Sequence, residues 1–278
     1  MHATPSPPAG ALFPSHRRLP IRLDDRPRYR GSVHDDEVAR RMGFRAALVP
    51  GAFIYGHMAR IAVEAWGEPW LRAGRMGARF RRPVYKDDVL DLAAGPLERG
   101  ADGVRATISL RDAAGEEVAA GWVGPPEEGE APADRLAVRP LPEPRPSVGA
   151  GQLPIGAPIG SRDAVLTGDD VLESLAVFDE HHPLFRREGF VHPGCLMRLA
   201  MFDANESFRF PAPAVLVEVE ARHFAAVRPG ARIATAGRIS ADFERRGRHY
   251  IETDETLLAD GVPAARYRRV QIYASAGG

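Results

Sequence analysis

The residues best suited to chemistry stand in two short stretches. The first is His34-Asp35-Asp36, an imidazole followed directly by two carboxylates. Imidazole is the side chain that most readily takes and returns a proton near neutral pH. The second is Pro50-Gly51, which opens a strongly apolar run, GAFIYGHMARIAVEAW. If that run is a helix, its first amides have no intrahelical acceptor and sit at the positive end of the dipole, where they can hold a developing oxyanion. A glycine there lets a ligand approach the backbone closely. Both stretches also have a plainer meaning. Asp35 or Asp36 can cap a short helix within HDDEVAR, which leaves His34 on the surface, and Pro-Gly can be ordinary helix-start chemistry with close packing.

Other chemistry-bearing residues are less suggestive. His57 lies inside the apolar run and reads first as a core histidine with its hydrogen bonds satisfied. His181-His182 and His192 lack zinc-ligand spacing, so no metal is expected. Cys195 follows Gly194 at a second apolar run, where a thiol pKa can fall, but a buried and inert thiol is the simpler reading. Arg81-Arg82, Arg245-Arg246 with Arg248, and Arg266 with Arg268-Arg269 are basic clusters that could meet phosphate, although most such clusters are solvated faces. There is no GxGxxG fingerprint and no P-loop, and no cofactor is expected.

The elements that must position these groups occur twice. Residues 51–66 are apolar on nearly every face, which marks a buried helix. Val104, Ile108 and Leu110 then alternate with polar residues at the period of a half-buried strand, and Val118, Ala120 and Trp122 repeat the pattern. In the second half, residues 195–208 are the buried-helix candidate, and Val215, Val217 and Val219 carry the strand period. Turn signals follow at Pro229-Gly230, Arg246-Gly247 and Asp260-Gly261. Gly43-Phe44 with Pro50-Gly51 in the first half matches Gly189-Phe190 with Pro193-Gly194 in the second, and Phe80 matches Phe224 at an offset differing by one residue. Between the halves lies a Pro/Gly/Glu-rich stretch unable to bury a core. The expected organisation is therefore a first unit at 1–124, a linker at 125–158 and a second unit at 159–278. Each unit would be one buried helix followed by an antiparallel meander.

Composition sets the outer bounds. The chain has 278 residues, 44% of them hydrophobic, enough for a packed core. No apolar run approaches the roughly 20 residues of a spanning helix. The N-terminus shows no basic region followed by an apolar stretch, so no signal peptide is read. The single cysteine cannot form an internal disulfide and fits a reducing compartment; a cytoplasmic location is expected. With 37 basic and 37 acidic residues, the balance argues against non-specific nucleic-acid binding.

Residues 33–56, VHDDEVARRMGFRAALVPGAFIYG, resemble the signature of the MaoC-like, or R-specific enoyl-CoA hydratase, family. That signature has an Asp, a spacer, Asn-Pro, an aliphatic residue and a His, then an Ala, a Gly-Phe and the Gly that opens the helix. Val33-His34, Ala39, Gly43-Phe44 and Gly51 match it, and RPVYKDDV at 82–89 is similar to the family's Pro-Val…Gly-Asp segment. Residues 183–199 look like the corresponding part of a second, degenerate unit. The resemblance implies an α+β double hotdog, with two long central helices each wrapped by an antiparallel sheet. It implies an enoyl-thioester hydratase or dehydratase, with His34 as acid/base and Gly51 as oxyanion donor. Pro50, Tyr55 and His57 would be its substrate-binding residues. The partner would be an acyl-CoA or acyl-carrier thioester, with no nucleic acid and no membrane, in a monomeric double hotdog or a homodimer.

The chain departs from the pattern at the acid. The family's catalytic Asp position holds Tyr29, and its Asn-Pro holds Gly31-Ser32. In the second unit Glu180 stands at the Asp position, but Phe185 replaces the His. Tyr29 could donate a hydrogen bond from the Asp slot, although an ordinary pKa near 10 makes it a poor base. Asp35 and Asp36 are the nearby carboxylates that could substitute. Two other functions remain open: a non-catalytic acyl-thioester binder, and a thioesterase using Glu64 or Asp203.

Overall fold

A computed structural model of the chain describes residues 13–24, 26–127, 129 and 136–275. The first half runs through β1 (Ser15–Pro20), one 3₁₀ turn (Pro27–Tyr29), α1 (Asp36–Arg41), α2 (Gly51–Trp66) and α3 (Glu68–Ala73). It continues through β2 (Arg75–Phe80), β3 (Val89–Ala94), β4 (Glu98–Gly100), β5 (Gly103–Arg111) and β6 (Glu117–Gly124). A two-residue β7 (Arg139–Pro140) precedes the second half. That half contains β8 (Pro158–Ser161), β9 (Ala164–Val165), α4 (Gly168–Val177), α5 (Pro183–Arg186), α6 (Pro193–Ser207) and four long strands. The strands are β10 (Val215–His223), β11 (Arg232–Arg245), β12 (Arg248–Ala259) and β13 (Val262–Ser275).

The sheet order shows the internal repeat directly. It reads β1-β3-β5-β6-β2-β10-β13-β12-β11-β8, with β7 beyond β8. Outward from the β2–β10 junction the two halves present equivalent strands in the same succession, so the order is symmetric about that junction. β2 and β10 pair antiparallel, from Arg79 opposite Glu218 to Arg75 opposite Arg222. Joining two half-sheets removes an exposed edge from each. The expected α+β arrangement of two wrapped helices is what the structure shows. Its long hairpins turn where the sequence signals them: Arg246-Gly247 and Asp260-Gly261 all have positive φ, as type I′ turns require.

The first turn of α6 meets the first two turns of α2. A Cβ on Gly194 would lie 2.5 Å from Phe178, 2.9 Å from the Gly56 Cα and 3.0 Å from the Ala52 carbonyl oxygen. Two of those atoms are backbone, so the contact cannot relax without moving a helix. Gly194→Ala is expected to lower stability by about 1–3 kcal/mol through overpacking, read as a lower urea midpoint. An unchanged midpoint would show that the helices do not approach this closely.

The described part of residues 125–158 carries β7 and is otherwise irregular, and Leu153 is buried there. The Leu153 amide donates to Asp242 (2.9 Å), and the Gly151 amide donates to the Tyr273 hydroxyl (2.7 Å). Residues 128 and 130–135 lie outside the described residues. No helix among the described residues is long and apolar enough to cross a membrane.

Candidate active site

The segment before α2 is built by local bonds that aim His34. The Asp35 carboxylate caps α1, accepting from the amides of Glu37 (2.8 Å) and Val38 (3.4 Å). Asp36 accepts from the Ala47 amide (2.7 Å), which closes the loop between α1 and α2. The Leu48 amide donates to the Val33 carbonyl, and the Val49 amide to the Val84 carbonyl, so both strands of that loop are tied down. His34 Nδ1 then lies 2.7 Å from the Leu48 carbonyl oxygen. A carbonyl only accepts, so Nδ1 carries the proton and Nε2 keeps the lone pair. Burial holds the imidazole below its ordinary pKa, outweighing the Leu48 carbonyl, which acts in the opposite direction. The ring is therefore neutral at pH 7, with a basic Nε2.

His34 lines a cleft of ≈ 450 Å³ whose first wall includes Tyr29, Pro50 and Ala52. The opposite wall comes from the second half: Arg198, Met201 and Asn205 along one face of α6, then Phe208 to Ala214 beyond it. That volume is within the range of small-ligand sites. Pro50 caps α2 without a side-chain hydrogen bond, and among the described residues the amides of Gly51 and Ala52 have no acceptor. The positive end of α2 thus reaches this cleft at Ala52, while Gly51 is not among its lining residues. Gly51 itself has a packing reason as well, since a Cβ there would sit 2.9 Å from the Leu216 side chain.

Tyr29, at the position of the missing acid, is held by a carboxylate that sequence reading overlooked. Its hydroxyl donates to Asp24 (2.9 Å), and its ring packs edge-on against His34 with centroids 5.8 Å apart. Burial pushes the hydroxyl up to about 12, so it stays a donor at neutral pH. Asp24 also accepts from Arg26 (2.9 Å) and Arg28 (3.0 Å).

Four expected site residues are not brought to the cleft: Gly51, which packs against Leu216, and Asp35, Tyr55 and His57. Asp35 is spent on the cap of α1. Tyr55 points into the core, where its hydroxyl lies 3.4 Å from His223 Nε2. His57 is also in the core, 2% exposed, edge-on to Phe178 at 5.6 Å. Contrary to the sequence expectation of a satisfied histidine, neither of its ring nitrogens has a partner. The helical period explains His57, which falls roughly 140° around α2 from residue 52, whereas Tyr55, at i+3, is drawn into the core beside His223. The basic clusters picked from sequence are largely neutralised: Arg81 by Glu117, Arg82 by Glu116, Arg266 by Asp254, Arg268 by Glu252 and Arg269 by Glu255. The arginines that line the cleft are Arg28, Arg145, Arg198 and Arg209. The i, i+3, i+7 spacing of Arg198, Met201 and Asn205 was the available signal for the second wall.

In the second half, Glu180 accepts from the amides of His181 (2.8 Å) and His182 (2.7 Å). Burial pushes its carboxyl up, but His192, Arg60 and the His182 amide outweigh this and hold it at about 2. His192 caps α6 through Nδ1, which accepts from the Gly194 amide (3.2 Å), and it stacks on Phe178. Glu180 and His192 are both buried among Phe178 and Phe185 and are absent from the cleft.

Burial lowers the His57 pKa to about 3, with the Arg60 and His192 charges adding to the effect. Below the unfolded value of 6.5 the unfolded chain takes up a proton that the fold refuses, so stability falls as pH drops from 6.5 toward 3. The loss reaches roughly 4 kcal/mol from this group. His57→Leu is expected to flatten the slope of unfolding free energy against pH over that window. An identical slope in the variant would remove His57 from the account.

No family model matches the chain, and no curated protein matches it in sequence. Solved structures do match. A MaoC-like dehydratase aligns with a TM-score of 0.63 at 15% identity, over 96% of this chain and 100% of that one. A conserved hypothetical protein of Mycobacterium tuberculosis with a double hotdog fold aligns with a TM-score of 0.64 at 15% identity, over 96% of this chain and 98% of that one. The fold is the double hotdog. A Chloroflexus aurantiacus protein described as a MaoC-domain dehydratase is also similar, with a TM-score of 0.60 at 15% identity, over 99% of this chain and 100% of that one. In this double hotdog the cleft lies between the units, with its basic nitrogen from the first and its far wall from the second. Glu64 and Asp203, the acids considered for thioester hydrolysis, pair instead with Arg17 and Arg162 and do not line it.

Proposed function

We propose that this double hotdog is an enoyl-thioester hydratase, or a dehydratase in the reverse direction, with its reaction centre at His34. The observation that carries the reading is the Nδ1 contact of His34 with Leu48, which leaves a neutral, basic Nε2 in a cleft shared with the open end of α2. His34 Nε2 takes a proton from water while the water oxygen bonds to the β carbon. The π electrons move toward the thioester oxygen, where the Ala52 amide at the open end of α2 stabilises the charge. The imidazolium then returns its proton to the α carbon, and the base is regenerated. Tyr29 gives its one proton to Asp24, so its hydroxyl can orient the water only as an acceptor.

The test is incubation with crotonyl-CoA, following enoyl absorbance and free thiol together. Loss of absorbance without thiol release is expected, and thiol release would point to hydrolysis instead. Because the neutral form of His34 is the active one and its pKa lies below 6.5, kcat/KM is expected to be flat through neutral pH and to fall only below pH 6.5. An acid limb centred above pH 7 would assign the base to another group.

The second reading is an acyl-thioester binder without turnover. It is favoured by the absence of a free carboxylate at the acid position, since Asp24 is already committed to Tyr29, Arg26 and Arg28. Saturable crotonyl-CoA binding with unchanged absorbance would establish it.

A further inference from the structure

A chain of buried polar groups ends in the cleft wall. Arg269 and Glu255 form a fully buried pair through Arg269 Nε (3.1 Å) and Nη2. Arg269 Nη1 donates to Gln271 Oε1 (2.9 Å), and Gln271 Nε2 donates to Asn205 Oδ1 (3.2 Å). Gln271 is buried, whereas Asn205 is half-buried and lines the cleft opposite His34. Taking an ion pair out of water is expensive, and apolar residues of similar volume often hold a core as well or better. Stability alone therefore gives no account of a charged chain that leads to a ligand-sized cleft.

The bonds of this chain can be satisfied in one direction only. A carboxamide has an acceptor end and a donor end of nearly equal shape, so Asn205 taken alone could face the cleft either way. A guanidinium has five N–H groups and accepts nothing. Gln271 must turn its oxygen to Arg269, which leaves its NH2 group for Asn205. Asn205 must then give its oxygen to Gln271, and its NH2 group is the end left for the cleft. That group has no acceptor among the described residues. Around it the wall is apolar, with Met201, Phe208 and Phe210. A few fixed polar groups in such a wall orient what binds there.

The chemistry of the cleft names the atom. His34 and the Tyr29 hydroxyl serve the water. The start of α2 offers the cleft one amide, that of Ala52, whereas a carbonyl oxygen has two lone pairs. The second donor has to come from the facing wall, where Asn205 has its direction fixed. We propose that Asn205 is a one-way donor to the carbonyl oxygen of the bound acyl thioester, with Gln271 and Arg269 as the residues that position it. This rests on the thioester reading given above.

The test is calorimetric titration of the full chain with butyryl-CoA and with S-butyl-CoA, a thioether that lacks the carbonyl. The parent is expected to prefer the thioester, and Asn205→Ala to reduce that preference about tenfold. Asn205→Asp turns lone pairs to the cleft. Gln271→Glu offers acceptors to both neighbours, so the Asn205 carboxamide turns round. Each is expected to reduce the preference at least as much as Asn205→Ala. A merely structural disturbance, or repulsion of the CoA phosphates by a new charge, weakens both ligands alike and leaves the preference as it was. Urea midpoints identify the folded variants. If the added buried charge of Gln271→Glu prevents folding, Gln271→Met takes its place; it frees the carboxamide to turn and should reduce the preference about twofold. Unchanged preference in the folded Asn205 variants overturns the proposal, as does a parent that binds the two ligands equally. Loss in those variants with preference intact in a folded Gln271→Glu overturns the positioning role. Loss in all of them without hydration of crotonyl-CoA sustains the proposal and defeats the hydratase reading. Hydration with the preference unchanged leaves that reading intact and defeats the proposal.

Discussion

His34→Ala is expected to lower crotonyl-CoA turnover by ~10²–10⁴-fold, the usual cost of losing a general acid/base. The fold should survive, because the loop carrying His34 is fastened by other groups. Asp35 caps α1, Asp36 holds the Ala47 amide, and the Leu48 and Val49 amides bond to Val33 and Val84. The substitution removes the bond to the Leu48 carbonyl and the edge contact with the Tyr29 ring. kcat should fall while KM changes little, since His34 acts on the water and not on the carrier. Circular dichroism and the urea midpoint establish that the variant is folded. Undiminished turnover in a folded variant would dismiss the site, and the binding reading would then take its place.

Arg269→Met is expected to destabilise the protein by about 3–5 kcal/mol, the largest stability effect of any single change considered. Arg269 and Glu255 pair at 0% exposure for both side chains. The guanidinium also donates to Gln271 (2.9 Å), whose amide donates to Asn205 (3.2 Å) in the cleft wall. Removing the arginine leaves a carboxylate buried without its counter-charge. Burial already raises the Glu255 carboxyl against the pull of Arg269, and in the variant that pull is gone. A raised folded pKa means the variant is most impaired above the unfolded value of 4.5 and recovers as pH falls and Glu255 takes up a proton. The double variant Arg269→Met with Glu255→Leu should regain most of the loss, because both charges are then absent. A single variant as stable as the parent would show that the pair carries no uncompensated charge when broken.

Much of this molecule was legible from residue order because the relevant forces are local. The run 51–66 is apolar on all faces and forms α2 at those same bounds. The signals Arg246-Gly247 and Asp260-Gly261 became hairpin turns, since positive φ is a property of the turn residues themselves. The repeat of Gly43 and Gly189, both in the left-handed region, and of the Pro-Gly helix starts announced two equivalent units. Even the cap on α1 could be read, because a side chain bonding two or three residues ahead depends on nothing distant.

What the residue order left open depended on which distant residues meet. Asp24 reaches Tyr29 only because the 3₁₀ turn folds the chain back on itself, and no motif spacing marks that contact. The far wall of the cleft belongs to α6, in the other half of the chain, and it faces His34 only once β2 and β10 have joined the sheets and α2 has crossed α6. Tertiary packing likewise decided the arginines. Arg81, Arg82, Arg266 and Arg268 face carboxylates and are neutralised, whereas Arg198 and Arg209 face the cleft. Side-chain type and period are properties of a segment, so the sequence by itself determined the two units and their central helices. Pairing between side chains is a property of packing, so only the tertiary structure decided which histidine meets the cleft, which acids are spent and which cations face the cleft.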